Sequence, residues 1–180
     1  MPEAMMTLKP IGEASQHLPA GLLKSLQNLH HMAKKRSNQF TLAVLATQEV
    51  SKCYQQGLQA LGGNSKKVEY SDVLKSEGSV DIDTCLAETY PTANRWDYVI
   101  GYDGAAYFVE IHPAATIEVS VVVRKLQWLK NWLKGHAPEL DKIKASNKTP
   151  FYWIQSGRYN ILKTSPQYRR LVKEGLMPVA

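Results

Sequence analysis

The pair Asp103-Gly104 constrains this chain more than any other feature. It sits between Trp96–Tyr102 and Ala106–Ile111, two runs rich in aromatic and β-branched residues. A two-residue turn needs positive φ at both positions, which Asp-Gly tolerates, so the pattern predicts an antiparallel hairpin. Pro113 removes an amide donor and ends the second strand. Residues 116–134 come next as a helix. Thr116 is its expected cap, Glu118 suits the N-terminal dipole, and Val119, Val122, Val123, Leu126, Trp128, Leu129, Trp132 and Leu133 form a broad apolar face.

Around this centre the patterning predicts further elements. Pro19 opens a helical spacing through Leu22, Leu26, Leu29 and Met32, and residues 42–61 read as a second helix stopped by Gly62-Gly63. The two make an N-terminal helical hairpin, assigned to an extension spanning residues 1–65. Residues 64–82 are polar and read as a loop or irregular lid. A short helix is expected over 83–88, a strand over 151–156, a short strand over 160–162 and a last helix over 166–174. The fold class is α/β, a mixed β-sheet with a central hairpin flanked by helices. Its core spans residues 66–180, and the chain is expected to pack as one compact domain overall.

Charge is unevenly spread. Residues 1–68 hold eight Lys/Arg against three Asp/Glu, residues 69–118 hold two against ten, and residues 119–180 hold twelve against three. An acidic middle between basic flanks suits a cation-binding centre within a polyanion-binding surface; a solvated acidic loop beside unrelated basic helix faces accounts for the same numbers. Cys53 and Cys85 cannot build a disulfide framework and lack metal-ligand spacing. The opening MPEAMMTLKPIGEASQ has no apolar core, so no signal peptide is expected. No stretch approaches 18 apolar residues, which removes a transmembrane helix; a cytoplasmic protein without membrane contact is the expectation.

The chemistry-bearing candidates cluster on the hairpin. Glu110 and His112 are two apart on one strand and share a face, while Ile111 points the other way. Asp97 begins the partner strand, and in an antiparallel hairpin the start of one strand meets the end of the other. Asp97, Glu110 and His112 therefore gather at one sheet end. Two carboxylates in such a place call for a cation or a proton. Hard oxygen ligands with an incomplete protein shell suit Mg²⁺ or Mn²⁺, completed by water and substrate phosphate. The competing reading makes Asp97 a turn residue, pairs Glu110 with a lysine and leaves His112 as a strand end.

The stretches Glu88-Thr89-Tyr90-Pro91, Trp96-Asp97-Tyr98 and Val109-Glu110-Ile111-His112-Pro113, with the helix from Thr116, cover roughly residues 80–160. Helix with an acid, strand with Asp, strand with Glu-x-Lys, helix and strand in this order resemble the PD-(D/E)XK, or restriction-endonuclease-like, nuclease superfamily. The resemblance implies a restriction-endonuclease-like core, with Asp97 and Glu110 as metal ligands and Glu88 as an accessory acid. His112 stands where the superfamily has lysine. One replacement for it is Lys125, seven residues after Glu118 and on its helix face, since the superfamily tolerates a lysine relocated to this helix; loss of catalysis is the other. The activity this resemblance implies is that of a divalent-metal-dependent nuclease acting on DNA or RNA. The alternative is a catalytically inactive relative that binds nucleic acid or a protein partner, a second copy included.

Other motifs carry less. His30 and His31 point apart on a helix, Ser156-Gly157 lacks the nucleophile-elbow frame, and Gly62-Gly63 lacks the lysine of a phosphate loop. Trp128, Trp132 and Trp153 read as core. Arg158 after the third strand, with Arg169, Arg170 and Lys173 on the last helix, are the phosphate-contact candidates, solubility being their competing role.

Overall fold

A computed structural model describes residues 39–146 and 149–179, together with positions 21, 22, 24, 25 and 28. The chain divides into two compact units, Met1–Lys34 and Lys35–Ala180. In the first unit the described positions are helical, and the rest of the helix expected from Pro19 onward lies outside the described residues.

The second unit is α/β. Its elements are α1 (Gln39–Ala46), β1 (Tyr54–Gln55), β2 (Ser76–Asp81), α2 (Ile82–Cys85), β3 (Tyr98–Tyr102) and β4 (Ala105–His112). After these come α3 (Val119–His136), α4 (Pro138–Lys142), β5 (Phe151–Gln155), α5 (Pro166–Glu174) and β6 (Pro178–Val179). The six strands form one open mixed sheet in the order β1-β2-β3-β4-β5-β6. The first four alternate antiparallel, and β5 and β6 run parallel to β4. The β3–β4 turn is Asp103-Gly104, with φ of 51° and 80°, as a two-residue turn of that hand requires. Asp103 also receives Lys75 Nζ at 2.9 Å.

Alternation along the strands makes two apolar faces. Val80, Val99, Phe108 and Trp153 share a core with Phe40 and Val44 of α1, Val119 to Leu133 of α3, and Leu171 of α5. Ile100, Val109 and Ile154 face the other way and are partly covered by Leu58, Leu61, Val68 and Tyr70. Residues 39–65, read from sequence as an extension, belong to the same compact unit as the sheet.

The helix expected over 42–61 stops at Ala46. Leu42 and Leu45 are exposed, while Val50 and Leu61 are buried beyond the helix end. Thr47 Oγ1 donates back to the Ala43 carbonyl at 2.8 Å, and the Glu49 carboxylate accepts from Trp132 Nε1 at 2.8 Å and from the Tyr90 hydroxyl at 2.9 Å. Burial, helped by Glu49, pushes the Tyr90 phenol up to about 12. Tyr54 pairs with Val80 in the sheet, and its hydroxyl donates to the Glu77 carbonyl at 2.6 Å.

The segment read as a loop over 64–82 contains the interior strand β2. Its sequence, SEGSVD, has no apolar alternation, yet its four middle residues are buried. Polar partners explain the burial: the Phe40 amide donates to Glu77 Oε2 at 3.1 Å, the Gly104 amide donates to Glu77 Oε1, and the Ala60 amide donates to Ser79 Oγ at 3.2 Å. Gly78, at φ 142°, lies where an added Cβ would meet the Tyr54 ring at 2.5 Å. Burial holds the Glu77 carboxyl above its ordinary range.

Three smaller expectations also change. The short helix is Ile82–Cys85, capped by Asp81, so Glu88 falls beyond it. Thr116 does not cap α3. Its hydroxyl donates to the Asn160 carbonyl at 3.2 Å and accepts from the Leu162 amide at 3.1 Å, and the cap position is Glu118. The strand expected over 160–162 is a single bridge between Ala115 and Asn160, because Thr116 takes up the neighbouring backbone groups. Among the described residues no helix is long and apolar enough to cross a membrane.

Cys53 and Cys85 form a disulfide with Cα atoms 6.2 Å apart. It ties the turn before β1 to the end of α2, across 32 residues of chain. Opening it restores freedom to a loop of that length in the unfolded chain. Cys53→Ser is therefore expected to cost about 2–4 kcal/mol in a urea melt, and reduced wild type should show the same loss. Equal stability of oxidised wild type and variant would contradict this.

Candidate functional site

Asp97 immediately precedes β3, and Glu110 lies two residues before the end of β4. With Tyr98 opposite Val109, both carboxylates stand at the same sheet end. The backbone locks them together: the Asp97 amide donates to Glu110 Oε2 at 3.2 Å, and the Ile111 amide donates to Asp97 Oδ2 at 3.0 Å. Glu110 shares a sheet face with Phe108 and His112, the face covered by α3. Its side chain is fully buried.

Lys125 comes from α3. Val122, Leu126 and Leu129 beside it are core residues that press the helix onto the sheet. The lysine stem is thereby covered and its ammonium delivered between the two acids. Nζ donates to Asp97 Oδ1 at 2.6 Å and to Glu110 Oε1, with side-chain exposures of 14% for Lys125 and 19% for Asp97. Two carboxylates thus face one ammonium. Burial, reinforced by the nearby Asp97 charge, pushes the Glu110 carboxyl up to about 8 against the opposing pull of Lys125. Burial works against the Lys125 charge, but Glu110 and Asp97 outweigh it and hold its pKa above the ordinary value.

His112 extends the group. Its Nε2 lies 2.8 Å from Glu118 Oε2 and its Nδ1 lies 3.6 Å from Glu110 Oε1. The ring is hydrogen-bonded to the acid at the start of α3 and lies near the strand acid without a hydrogen bond to it. Sequence reasoning gives Glu118 only a dipole role and misses its contact with His112; the signal for it is their six-residue separation across Pro113.

Glu88 is not part of the group. It is exposed, and none of the hydrogen bonds or ion pairs among the described residues includes it. The acid on that side is Asp81, at the end of β2 opposite Tyr98, accepting from the Thr84 amide at 2.8 Å and the Thr84 hydroxyl at 2.9 Å. Burial, with Asp83 and Asp97 adding to it, holds the Asp81 carboxyl above its usual value. Its signal is hidden because β2 carries no strand pattern.

Among the described residues no three His, Cys, Asp or Glu side chains converge as a ready-made metal shell. Asp97 and Glu110 are hard oxygen donors at one end of a rigid hairpin. All four of their oxygens already accept from Lys125 or from backbone amides, so a divalent ion held there would have to displace Lys125 from between them and complete its shell with waters and substrate oxygens. Arg158 is exposed just beyond β5. Arg169, Arg170 and Lys173 are exposed on α5, with Arg169 Nη1 donating to the Thr164 carbonyl at 3.3 Å. Trp132 and Trp153 are core, and Trp128 is half-buried, stacked on Trp132.

No protein-family model matches the chain, and no curated protein or solved structure matches it.

Proposed function

We propose that the protein is a divalent-metal-dependent nuclease of the PD-(D/E)XK type, hydrolysing phosphodiester bonds in DNA or RNA. The observation that carries this reading is Lys125. The lysine missing at position 112 is supplied by the helix, between two carboxylates at one end of an antiparallel hairpin. The antiparallel β2–β3–β4 meander followed by α3 and a parallel β5 supports a restriction-endonuclease-like core.

In this reading Asp97 and Glu110 hold Mg²⁺ or Mn²⁺. A divalent ion held by these two carboxylates would supply an activated water and charge neutralisation at the phosphoryl oxygens. Lys125 keeps its proton through its two carboxylate partners and donates hydrogen bonds toward the attacking water or the phosphate. His112, tethered to Glu118, is placed to accept or return a proton near Glu110. Arg158, Arg169, Arg170 and Lys173 contribute sequence-independent attraction to the phosphate backbone.

The test is incubation of the full chain with plasmid DNA and with RNA, in Mg²⁺ and in Mn²⁺. Cleavage that disappears with EDTA and with Asp97→Asn is expected; intact nucleic acid in both metals overturns the reading. One observation favours the alternative, a binding module without activity: Glu110 is fully buried against Lys125, and burial pushes its carboxyl up, away from the charged form a metal needs. Nucleic-acid binding without heat of Mn²⁺ binding would select that alternative.

The basic surface makes its own prediction. Neutralising Arg158, Arg169, Arg170 and Lys173 together should weaken DNA binding at low salt by about 10- to 100-fold across all sequences. The slope of log affinity against log salt should become shallower by up to roughly 3 to 4. Unchanged affinity in a filter-binding titration would remove these residues from the interface.

A further inference from the structure

On the sheet face opposite Lys125 and Glu110 runs a groove that this mechanism does not use. One of its two cavities, about 340 Å³, is lined by Ile100, Val109 and Ile154 and by tyrosines. It continues into a second opening over Gln155, Ser156 and Gly157, since both share Lys67, Glu69 and Ile154. Four aromatic rings line up along it. Tyr70 stacks on Tyr102 with centroids 5.2 Å apart and planes within 9°; Tyr107 lies 6.4 Å from Tyr102 and Tyr152 lies 6.1 Å from Tyr107.

The register gives this row a direction. Tyr102 stands opposite Ala105, Tyr152 opposite Val109, and Gln155 opposite His112. The row therefore crosses the sheet diagonally, from the hairpin turn toward the end where Glu110 and His112 lie. At ~3.3 Å per residue the descent from Ala105 to His112 spans roughly 23 Å. The groove's far end touches that site end directly, because the Ser156 amide donates to the His112 carbonyl at 3.1 Å.

The rim supplies charge. Lys66 and Lys67 edge the groove, and Arg158 follows Gly157 at its exit. None of these three takes part in an ion pair among the described residues, and one acid, Glu69, lies among them. A row of phenol rings beside free cations suits a ligand with unstacked planar bases on an anionic backbone, in which each base offers a π-face and each phosphate a counter-charge. A duplex hides its base faces within its own stack and cannot use such a row.

We propose that this tyrosine groove binds single-stranded nucleic acid and leads it over the end of β4 and β5 toward the Asp97–Glu110–Lys125 group. The proposal deepens the nuclease reading and rests on it for the fate of the strand, while the binding itself is measured independently of cleavage.

The experiment is fluorescence anisotropy of the full chain in EDTA, with fluorescein-labelled dT₁₂, rU₁₂ and a 12-base-pair DNA duplex as probes. The single strands should bind at least tenfold more tightly than the duplex, and the dT₁₂/rU₁₂ ratio assigns the sugar. Tyr107→Leu and Tyr152→Leu keep apolar bulk but lose the ring face, and each should weaken single-strand binding about 5- to 100-fold. Tyr107→Phe should retain affinity. Lys66→Gln with Lys67→Gln should make the salt slope shallower by about 1.4. Equal affinity for duplex and single strand overturns the proposal. So does undiminished binding by leucine variants that melt like wild type. A dimer that dissociates on Tyr107→Leu with oligonucleotide affinity unchanged also overturns it, assigning the groove to a second copy. Tyrosine-dependent binding in a chain that never cleaves supports the groove while the nuclease reading falls; cleavage that persists in non-binding leucine variants overturns the groove as the substrate path and leaves the nuclease reading standing.

Discussion

Lys125→Met is expected to abolish cleavage, by at least ~10³-fold, and to destabilise the metal-free protein by about 3 kcal/mol at pH 9. Both effects have one origin. Lys125 is the cation between Asp97 and the fully buried Glu110, and a methionine of similar length fills its space without its charge. Two carboxylates then face each other across a desolvated gap, and one of them must hold a proton. The penalty should shrink at pH 5, where Glu110 is already protonated, so urea melts in EDTA at pH 5 and pH 9 should diverge. A pH-independent loss would mean that Lys125 acts only through the packing of its stem. Adding His112→Lys to this variant moves the ammonium to the strand position of the superfamily pattern, 3.6 Å from Glu110 in the histidine-bearing chain. Partial recovery of cleavage in the double variant is expected; recovery of stability without cleavage would separate the structural from the chemical role.

The hairpin and its acids are legible because their signals are local. Asp103-Gly104 sets the register, the register brings Asp97 to Glu110, and a two-residue period puts His112 beside Glu110. The apolar stripe of α3 is equally local, and its phase places Lys125 toward the sheet. The features that escape a reading of the sequence depend on partners distant in the chain. β2 is buried through hydrogen bonds to Glu77 and Ser79 from residues on α1, the β3–β4 turn and the segment after β1, so no hydropathy pattern marks it. The apolar spacing of residues 42–61 mimics a helix because Val50 and Leu61 are buried and Cys53 and Tyr54 half-buried, but Leu61 packs on the opposite sheet face from the other three. Motif order alone points to Glu88 as the accessory acid. Once β2 is seen as a strand, Asp81 at its end is the acid that stands near Asp97.

Glu110→Gln separates the metal reading from a purely structural one. The substitution keeps the shape and removes the charge, so cleavage and Mn²⁺ binding should both be lost in calorimetric titration. Its effect on the metal-free protein has the opposite sign from that of Lys125→Met. Lys125 retains Asp97 as a partner at 2.6 Å, so no ammonium is stranded, and the second buried negative charge is gone. The pH dependence comes from linkage. Glu110 titrates near 8 in the folded protein against an ordinary value of 4.5. Below 4.5 both states hold the proton, and the group imposes no penalty. Between 4.5 and 8 the unfolded chain releases its proton while the folded one keeps it, so stability falls with rising pH and levels off above 8. The total for this window is on the order of 3–5 kcal/mol. Glu110→Gln removes that slope: the two proteins should melt alike near pH 4.5 in EDTA, and the variant should be the more stable at pH 8.5. Mn²⁺ should narrow that gap at pH 8.5, because it stabilises only the chain that binds it. A variant that is less stable than wild type at pH 8.5 in EDTA, with Mn²⁺ binding intact, would make Glu110 the structural partner of Lys125 and end its role as a metal ligand.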